Sequence, residues 1–381
     1  MRVAVLGFGT VGKSVYEMLG RAQGLEQGPV LARPGKADAP FKTDAMETIL
    51  ADPSIEAVAE ALTDVDAAYA YARAALQAGK HVVTANKALV AAHGPELDAL
   101  ARARDRAFLF GAACGGGVPF LQNLVLASAS DRIFALGGIL NGTTNYILDA
   151  MQRKNMDYSA ALLAAQGLGF AEADPTADVS GLDSMRKLML ACAAAYGELP
   201  REGLHWEGVQ ALTAEDAACF RREGWVCRLL ARGGRNADHS LYAYVEPVLL
   251  PETAPECAAL ENQNLVRYEA EYAGPVVLMG QGAGGRPTAS AMLRDLSHIL
   301  QGARHMLPPA CRAGRADNGG CTHSYYVRLP QAAAQEIVLE SMECDRGVCR
   351  GVTRPLSVRQ MHETAARLRA AGHAVFFAAM G

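Results

Sequence analysis

The stretch Arg2-Val3-Ala4-Val5-Leu6-Gly7-Phe8-Gly9-Thr10-Val11-Gly12 decides how this chain begins to fold. Residues 2–6 form a short apolar, β-prone run that stops at Gly7, and a helical pattern opens near Thr10. Between them stands a G-x-G-x-x-G run. Gly7 permits a tight turn, Gly9 lets the backbone approach a pyrophosphate, and Gly12 lets helix and strand pack closely. The helix N-terminus then faces the anion, and Thr10 and Val11 supply its first turn. Alone the pattern is weak, because glycines also serve ordinary turns. Its weight comes from its place between the first strand and the first helix.

Working outward, strands are expected at Ala57–Leu62, His81–Ala85 and Ala107–Phe110. Helices are expected at Ala67–Ala78 and Glu96–Arg104. Such alternation predicts a parallel sheet covered by helices on both faces. The second strand is expected to end near Val30–Ala32. The tip that follows, Arg33-Pro34-Gly35-Lys36, carries two cations and no acid. An acid there would serve a ribose hydroxyl; cations suit a 2′-phosphate, which favours NADP(H) over NAD(H). Arg33 and Lys36 are equally readable as ordinary loop charges, and Asp38 is placed to reach a ribose if the loop folds back.

Beyond about residue 130 the texture changes. A strand is expected over Arg132–Leu140, then helices at 158–167 and 181–196, then strands at Leu241–Leu249, Leu265–Ala270 and Pro275–Met279. This suits an antiparallel sheet in an α+β domain. The tail from Ser324 reads as strand, hairpin, helix and strand, with a turn at Asp345-Arg346-Gly347. The fold class is therefore α/β: a Rossmann-type parallel sheet (1–130, with 285–320 returning to it), an α+β catalytic and dimerisation domain (131–284) and a C-terminal module (321–381).

The bulk properties exclude several classes of function. The chain has 381 residues, half of them hydrophobic, and a formal net charge of −4 with acids and bases interspersed. No basic stripe points to nucleic acid, and no apolar run is long enough for a membrane span. The chain enters a strand at once, so no secretory leader is expected. Nine cysteines lack close metal-ligand pairing and are read as mostly reduced thiols in a cytoplasmic protein.

The chemistry concentrates in Gly169-Phe170-Ala171-Glu172-Ala173-Asp174-Pro175-Thr176-Ala177-Asp178 and Gly181-Leu182-Asp183-Ser184-Met185-Arg186-Lys187. Four carboxylates and Lys187 fall within sixteen residues. Asp183 and Lys187 are four apart on a helix and share a face. Acids on a loop beside an acid and a base on a helix suit an ammonium group held next to a proton-transfer site. Composition alone favours the plainer reading, a solvated acidic loop and a surface ion pair.

The pattern Gly-Phe-Ala-Glu-Ala-Asp-Pro-Thr-Ala-Asp-Val-x-Gly-Leu-Asp-x-x-Arg-Lys resembles the signature of the homoserine dehydrogenases. Val82–Leu89, Gly138–Leu148 and Gly280–Ala291 agree with the family in order and spacing, and the resemblance covers about residues 1–320. It implies interconversion of L-homoserine and L-aspartate 4-semialdehyde with NAD(P)(H). It implies that Lys187 and Lys87 are the active-site lysines, with Lys187 exchanging a proton with the substrate hydroxyl. Glu172 and Asp183 then hold the substrate amino group, Asp178 is a further substrate-binding candidate, and Thr143 lies near substrate and nicotinamide. Gly7, Gly9, Thr10, Val11, Gly12, Arg33, Lys36, Asn86, Lys87 and Gly284 are the expected cofactor contacts. A homodimer formed through the second sheet is expected, acting on a small molecule.

Two departures stand out. Family members usually carry a glutamate at Gly111 that helps bind a monovalent cation, alongside backbone carbonyls matching Cys114 and Gly116; its absence leaves the cation open. Thr63-Asp64 replaces a common Gly-Gly pair and brings an acid toward the expected cofactor cleft. Both leave room for a related amino alcohol as substrate, and Gly111 together with the altered tail leaves room for a non-catalytic sensor of NADP(H) or an amino acid. The tail begins like a regulatory amino-acid-binding (ACT) domain, but its usual Asp-x-Pro-Gly-Val turn is Pro330-Gln331-Ala332-Ala333, so a shortened ACT-like module is expected. Cys114 as a nucleophile, in an acyl-enzyme aldehyde dehydrogenase, is a rival reading that lacks a neighbouring histidine.

Overall fold

The computed structural model describes residues 1–32 and 41–381, so Arg33, Lys36 and Asp38 lie outside the described residues. The chain divides into two compact units. The first comprises Met1–Arg132, Met189–Leu199 and Gly280–Ala313, and the second Ile133–Leu188, Pro200–Met279 and Gly314–Gly381.

The first unit is built on six strands: β1 (Arg2–Leu6), β2 (Glu26–Leu31), β3 (Lys42–Thr43), β4 (Ile55–Glu60), β5 (His81–Thr84) and β6 (Phe108–Leu109). Their order is β3-β2-β1-β4-β5-β6, and every neighbouring pair is parallel. Val3, Ala4, Val5 and Leu6 of central β1 are fully buried. Such strands read as unbroken apolar runs because helices cover both faces. Chain order reverses between β1 and β4, and ligands of such sheets bind beyond the strand ends at that switch point. The helix Lys87–Ala103 starts well before the expected Glu96, because the Asn86 side chain caps it and Pro95 is accommodated within it. The helix Gly285–Leu300 and the segment Met189–Leu199 belong to this unit.

The turn after β1 shows why its glycines are needed. Gly7 takes φ +95°, a conformation open to glycine, and its N–H donates to Leu31 O at 2.9 Å. A Cβ on Gly12 would lie 2.0 Å from the Gly7 carbonyl oxygen.

The second unit holds a ten-stranded sheet. Its order is Gly274–Gln281, Gln263–Ala270, Ile133–Ile139, Trp225–Arg235, Leu241–Pro251, Phe376–Met380, Tyr325–Pro330, Val348–Thr353, Leu339–Asp345, with His205–Trp206 pairing off Leu241–Pro251. One apolar core, including Ile139, Val248, Leu265, Tyr325, Met361 and Phe377, runs beneath it. The expected strands and both expected helices form, as Tyr158–Gly167 and Leu182–Tyr196.

The tail does not stand apart from this sheet. Phe376–Met380 pairs parallel with Leu241–Pro251 through Val248↔Ala379 and Leu249↔Met380, which covers what would otherwise be an exposed strand edge. Its four strands, taken in chain order, lie fourth-first-third-second, all antiparallel to their neighbours. The helix Val358–Ala370 joins third to fourth, and a single 3-10 segment, Gln331–Glu336, joins first to second. This is the split βαβ order with its first helix cut to a turn. The turn at Arg346-Gly347 sets Cys344 opposite Cys349, and the two form a disulfide. The other seven cysteines remain thiols.

Gly12→Ala is expected to destabilise the protein by about 2–3 kcal/mol, since the methyl group must displace backbone. Urea denaturation checks this; a cost below about 0.5 kcal/mol contradicts the packing described.

Candidate functional site

In the first unit, β1 delivers the chain to the switch point and the helix Thr10–Leu19 starts there. Its N-cap, Gly9, offers no side-chain cap, and the first turn holds no acid. A Cβ on Gly9 would meet nothing within 4 Å. Open space and unsatisfied N–H groups at a helix N-terminus fit a pyrophosphate. Gly284, at φ +115°, begins the helix Gly285–Leu300, also without a side-chain cap.

The neighbouring strand ends are organised by Glu60, a residue not anticipated from sequence. It is fully buried at the end of β4. Its Oε1 accepts from Leu62 N at 2.5 Å, and its Oε2 accepts a short hydrogen bond from the Thr84 hydroxyl. Thr84 Oγ1 accepts from Asn86 N at 2.9 Å, and Asn86 Nδ2 donates to Leu62 O at 3.2 Å. Asn86 Oδ1 caps the helix that Lys87 opens, accepting from Leu89 N at 3.0 Å. Glu60 thus ties together the two loops at the carboxyl edge of the sheet. Burial pushes its carboxyl up to about 7, against the two hydrogen bonds that lower it. The signal was present as the single acid within the strand Ile55–Glu60's apolar second half.

Asp64, the acid expected near the cofactor cleft, is an exposed helix cap. Its Oδ1 accepts from Ala67 N at 2.9 Å and caps the helix Val65–Gln77. Cys114 is fully buried, which removes it from contact with an incoming substrate and counts against the nucleophile reading.

Gly111 is also enclosed. Asp295, fully buried on the helix Gly285–Leu300, accepts from Gly111 N at 2.7 Å and from Gln122 Nε2 at 2.9 Å. Burial raises its carboxyl to about 6. No group of three or more His, Cys, Asp or Glu side chains suited to a metal ion occurs among the described residues.

In the second unit, the strand Ile133–Ile139 ends at Leu140 and Asn141. Lys187 Nζ donates to Leu140 O at 2.7 Å and lies 2.7 Å from Asp183 Oδ2. Asn141 Nδ2 donates to Asp183 Oδ2 at 2.8 Å and to Asp178 Oδ1 at 2.7 Å. Its Oδ1 accepts from Thr144 N at 2.8 Å, capping the helix Gly142–Lys154. Asp183 is 2% exposed and Lys187 8% exposed, so this is not a solvated surface pair. Thr143 Oγ1 donates to Phe170 O at 2.5 Å and ties down the start of the acidic loop. Glu172 is exposed on that loop, where its carbonyl accepts from Gln166 Nε2 at 3.0 Å. The structure therefore gathers Asp178, Asp183 and Lys187 around Asn141 and leaves the Glu172 carboxylate facing solvent. Asn141 was missed as a functional residue, although an Asn immediately before a helix is a cap signal.

A nucleotide-type parallel sheet with an open glycine turn, and a separate buried acid–base pair, are parts that a dinucleotide-dependent oxidoreductase needs. Comparison with known proteins narrows this. The family model described as homoserine dehydrogenase matches residues 119–297, and the one described as homoserine dehydrogenase, NAD binding domain, matches residues 7–111. A homoserine dehydrogenase of Corynebacterium glutamicum is 37% identical over 350 residues, covering 87% of this chain and 76% of that protein. An NAD(+)-dependent homoserine dehydrogenase of Pseudomonas canavaninivorans is 38% identical, covering 68% of this chain and 74% of that protein. The crystal structure of a homoserine dehydrogenase from Thiobacillus denitrificans is 28% identical, with a TM-score of 0.87 over 100% of this chain and 98% of the other. The chain belongs to the homoserine dehydrogenase family.

The raised Glu60 carboxyl sets a pH dependence. Between about 4.5 and about 7 the folded state keeps its proton while the unfolded chain has lost it, so stability falls as pH rises through that window. Asp295 acts in the same direction, ending near 6. In Glu60→Gln the stability lost between pH 5 and pH 8 should shrink by up to about 3 kcal/mol, read by denaturation at both pH values. An unchanged loss would contradict the placement of Glu60.

Proposed function

We propose that the chain interconverts L-homoserine and L-aspartate 4-semialdehyde, with a nicotinamide dinucleotide as hydride partner. The carrying observation is the buried Asp183–Lys187 pair held against Leu140 O and Asn141. A lysine kept from bulk water and held by a carboxylate and a carbonyl is fixed in one position, as a group that exchanges a proton with a bound substrate must be. Lys187 takes the hydroxyl proton in the oxidising direction and returns it in the reducing one. Asp183 and Glu172 hold the substrate ammonium, Asp178 supports them through Asn141, and Thr143 orders the loop that carries Glu172. Lys87 acts as the second active-site lysine.

The bound nicotinamide supplies the hydride acceptor or donor. Gly7, Gly9, Thr10, Val11, Gly12, Asn86, Lys87 and Gly284 are assigned to the dinucleotide. NADP(H) is the cofactor we favour, on the charges of Arg33 and Lys36; the NAD(+)-dependent relative makes NAD(H) the competitor to assay beside it. We assign the enzyme to the cytoplasm as a homodimer. Exposed Phe134, Val277 and Met279 on the second sheet support pairing with a second copy. The split βαβ order of the tail supports a shortened ACT-like module.

The test is homoserine-dependent reduction of NADP⁺ and NAD⁺ at alkaline pH. Wild type should turn over, and Lys187→Ala should lose about a thousandfold in kcat while remaining folded. Turnover of a related amino alcohol but not of homoserine would overturn the substrate. Silence with all of them would overturn catalysis in favour of a sensor.

A further inference from the structure

The family resemblance implies a monovalent cation held by a glutamate at the position of Gly111 and by carbonyls of the turn that follows. The residues present do not fit it. A Cβ on Gly111 would lie 1.7 Å from Gln122 Nε2 and 2.7 Å from Asp295 Oδ1, so the space where a glutamate side chain would start is filled. Both oxygens of Asp295 are engaged, Oδ2 by Gly111 N and Oδ1 by Gln122 Nε2. Two carbonyls of the turn, those that alternate with the Cys114 and Gly116 carbonyls named by the resemblance, are engaged as well. Gly115 O accepts from Val118 N at 2.9 Å, and Gly117 O accepts from Arg294 Nη2 at 2.8 Å.

Arg294 is the informative residue. It precedes Asp295 on the same helix and puts a permanent positive charge onto the turn where the resemblance expects an ion. Its Nη1 is buried and has no hydrogen-bond partner among the described residues. A metal ion added beside this guanidinium would meet like-charge repulsion at short range.

We infer that Arg294 replaces the monovalent cation: its guanidinium binds the Gly115–Gly117 turn in place of an ion, Gln122 and Asp295 fill the space of the absent glutamate, and this protein works without sodium or potassium. The inference rests on family membership and not on the choice of substrate.

Thermal unfolding of the full-length protein tests it, which keeps its outcome separate from that of the activity assay. Wild type is prepared in tetramethylammonium chloride and titrated with NaCl or KCl at constant ionic strength. An ion that binds only the folded state raises Tm with its concentration. The expected wild-type result is a Tm that does not distinguish Na⁺ or K⁺ from tetramethylammonium. Arg294→Ala should show a lower Tm that is partly regained with millimolar methylguanidinium or with Na⁺ or K⁺, and not with tetramethylammonium. Selective stabilisation of wild type by Na⁺ or K⁺ would overturn the inference. An Arg294→Ala protein as indifferent as wild type to every cation would overturn the role of Arg294. If that variant does not fold, the wild-type titration still decides whether an ion is bound, and Arg294→Lys, which retains charge but not the fork of donors, should fold and show the same methylguanidinium response more weakly.

Discussion

The side-chain amide of Asn141 is the contact on which the candidate chemistry depends. Its oxygen caps the helix Gly142–Lys154, which fixes the side chain in one orientation. Its nitrogen then has one direction to point, and there it meets Asp178 and Asp183. Asp183 in turn faces Lys187, whose ammonium is also drawn to Leu140 O one residue before Asn141. Backbone and side chain at the end of a single strand thereby position an acid and a base on a separate helix. A buried ion pair adds little to stability once its desolvation is counted, so this arrangement is better explained by what it does than by what it holds together.

The first unit follows the same economy of means. The strand-turn-helix at Gly7–Gly12 leaves an uncapped helix N-terminus at the switch point of the sheet. Glu60, buried and hydrogen-bonded to Thr84 and Leu62, holds the loops at the ends of β4 and β5. Through Thr84 it reaches Asn86, the cap of the helix that Lys87 begins. In each unit a buried polar side chain at a strand end orders residues of the candidate site.

Much of this was legible beforehand, and the failures have physical causes. The glycine run, the strand-helix alternation and the helix Tyr158–Gly167 were readable because each carries its own local signal. The strand Trp225–Arg235 was not, since Arg228, Arg232 and two glycines break its apolar pattern. Arg228 is nonetheless buried, 3.5 Å from Asp149. Gly94-Pro95 hid the first two turns of the helix Lys87–Ala103. The acidic segment showed which residue types carry the chemistry, but not that Glu172 faces solvent while Asp178 and Asp183 converge, because only the fold brings Asn141 between them. Asp64 also caps the helix Val65–Gln77, a role its position after the strand Ile55–Glu60 did not reveal. The disulfide of Cys344 and Cys349 follows from hairpin register, which spacing does not determine.

The most direct test of this account is Asn141→Ser. Serine can still cap the helix Gly142–Lys154 but has no amide to bridge the two carboxylates. The account predicts a folded protein with stability within about 1.5 kcal/mol of wild type and a kcat/KM for homoserine oxidation reduced about a hundredfold. A folded Asn141→Ser enzyme with kcat/KM within about twofold of wild type would contradict it.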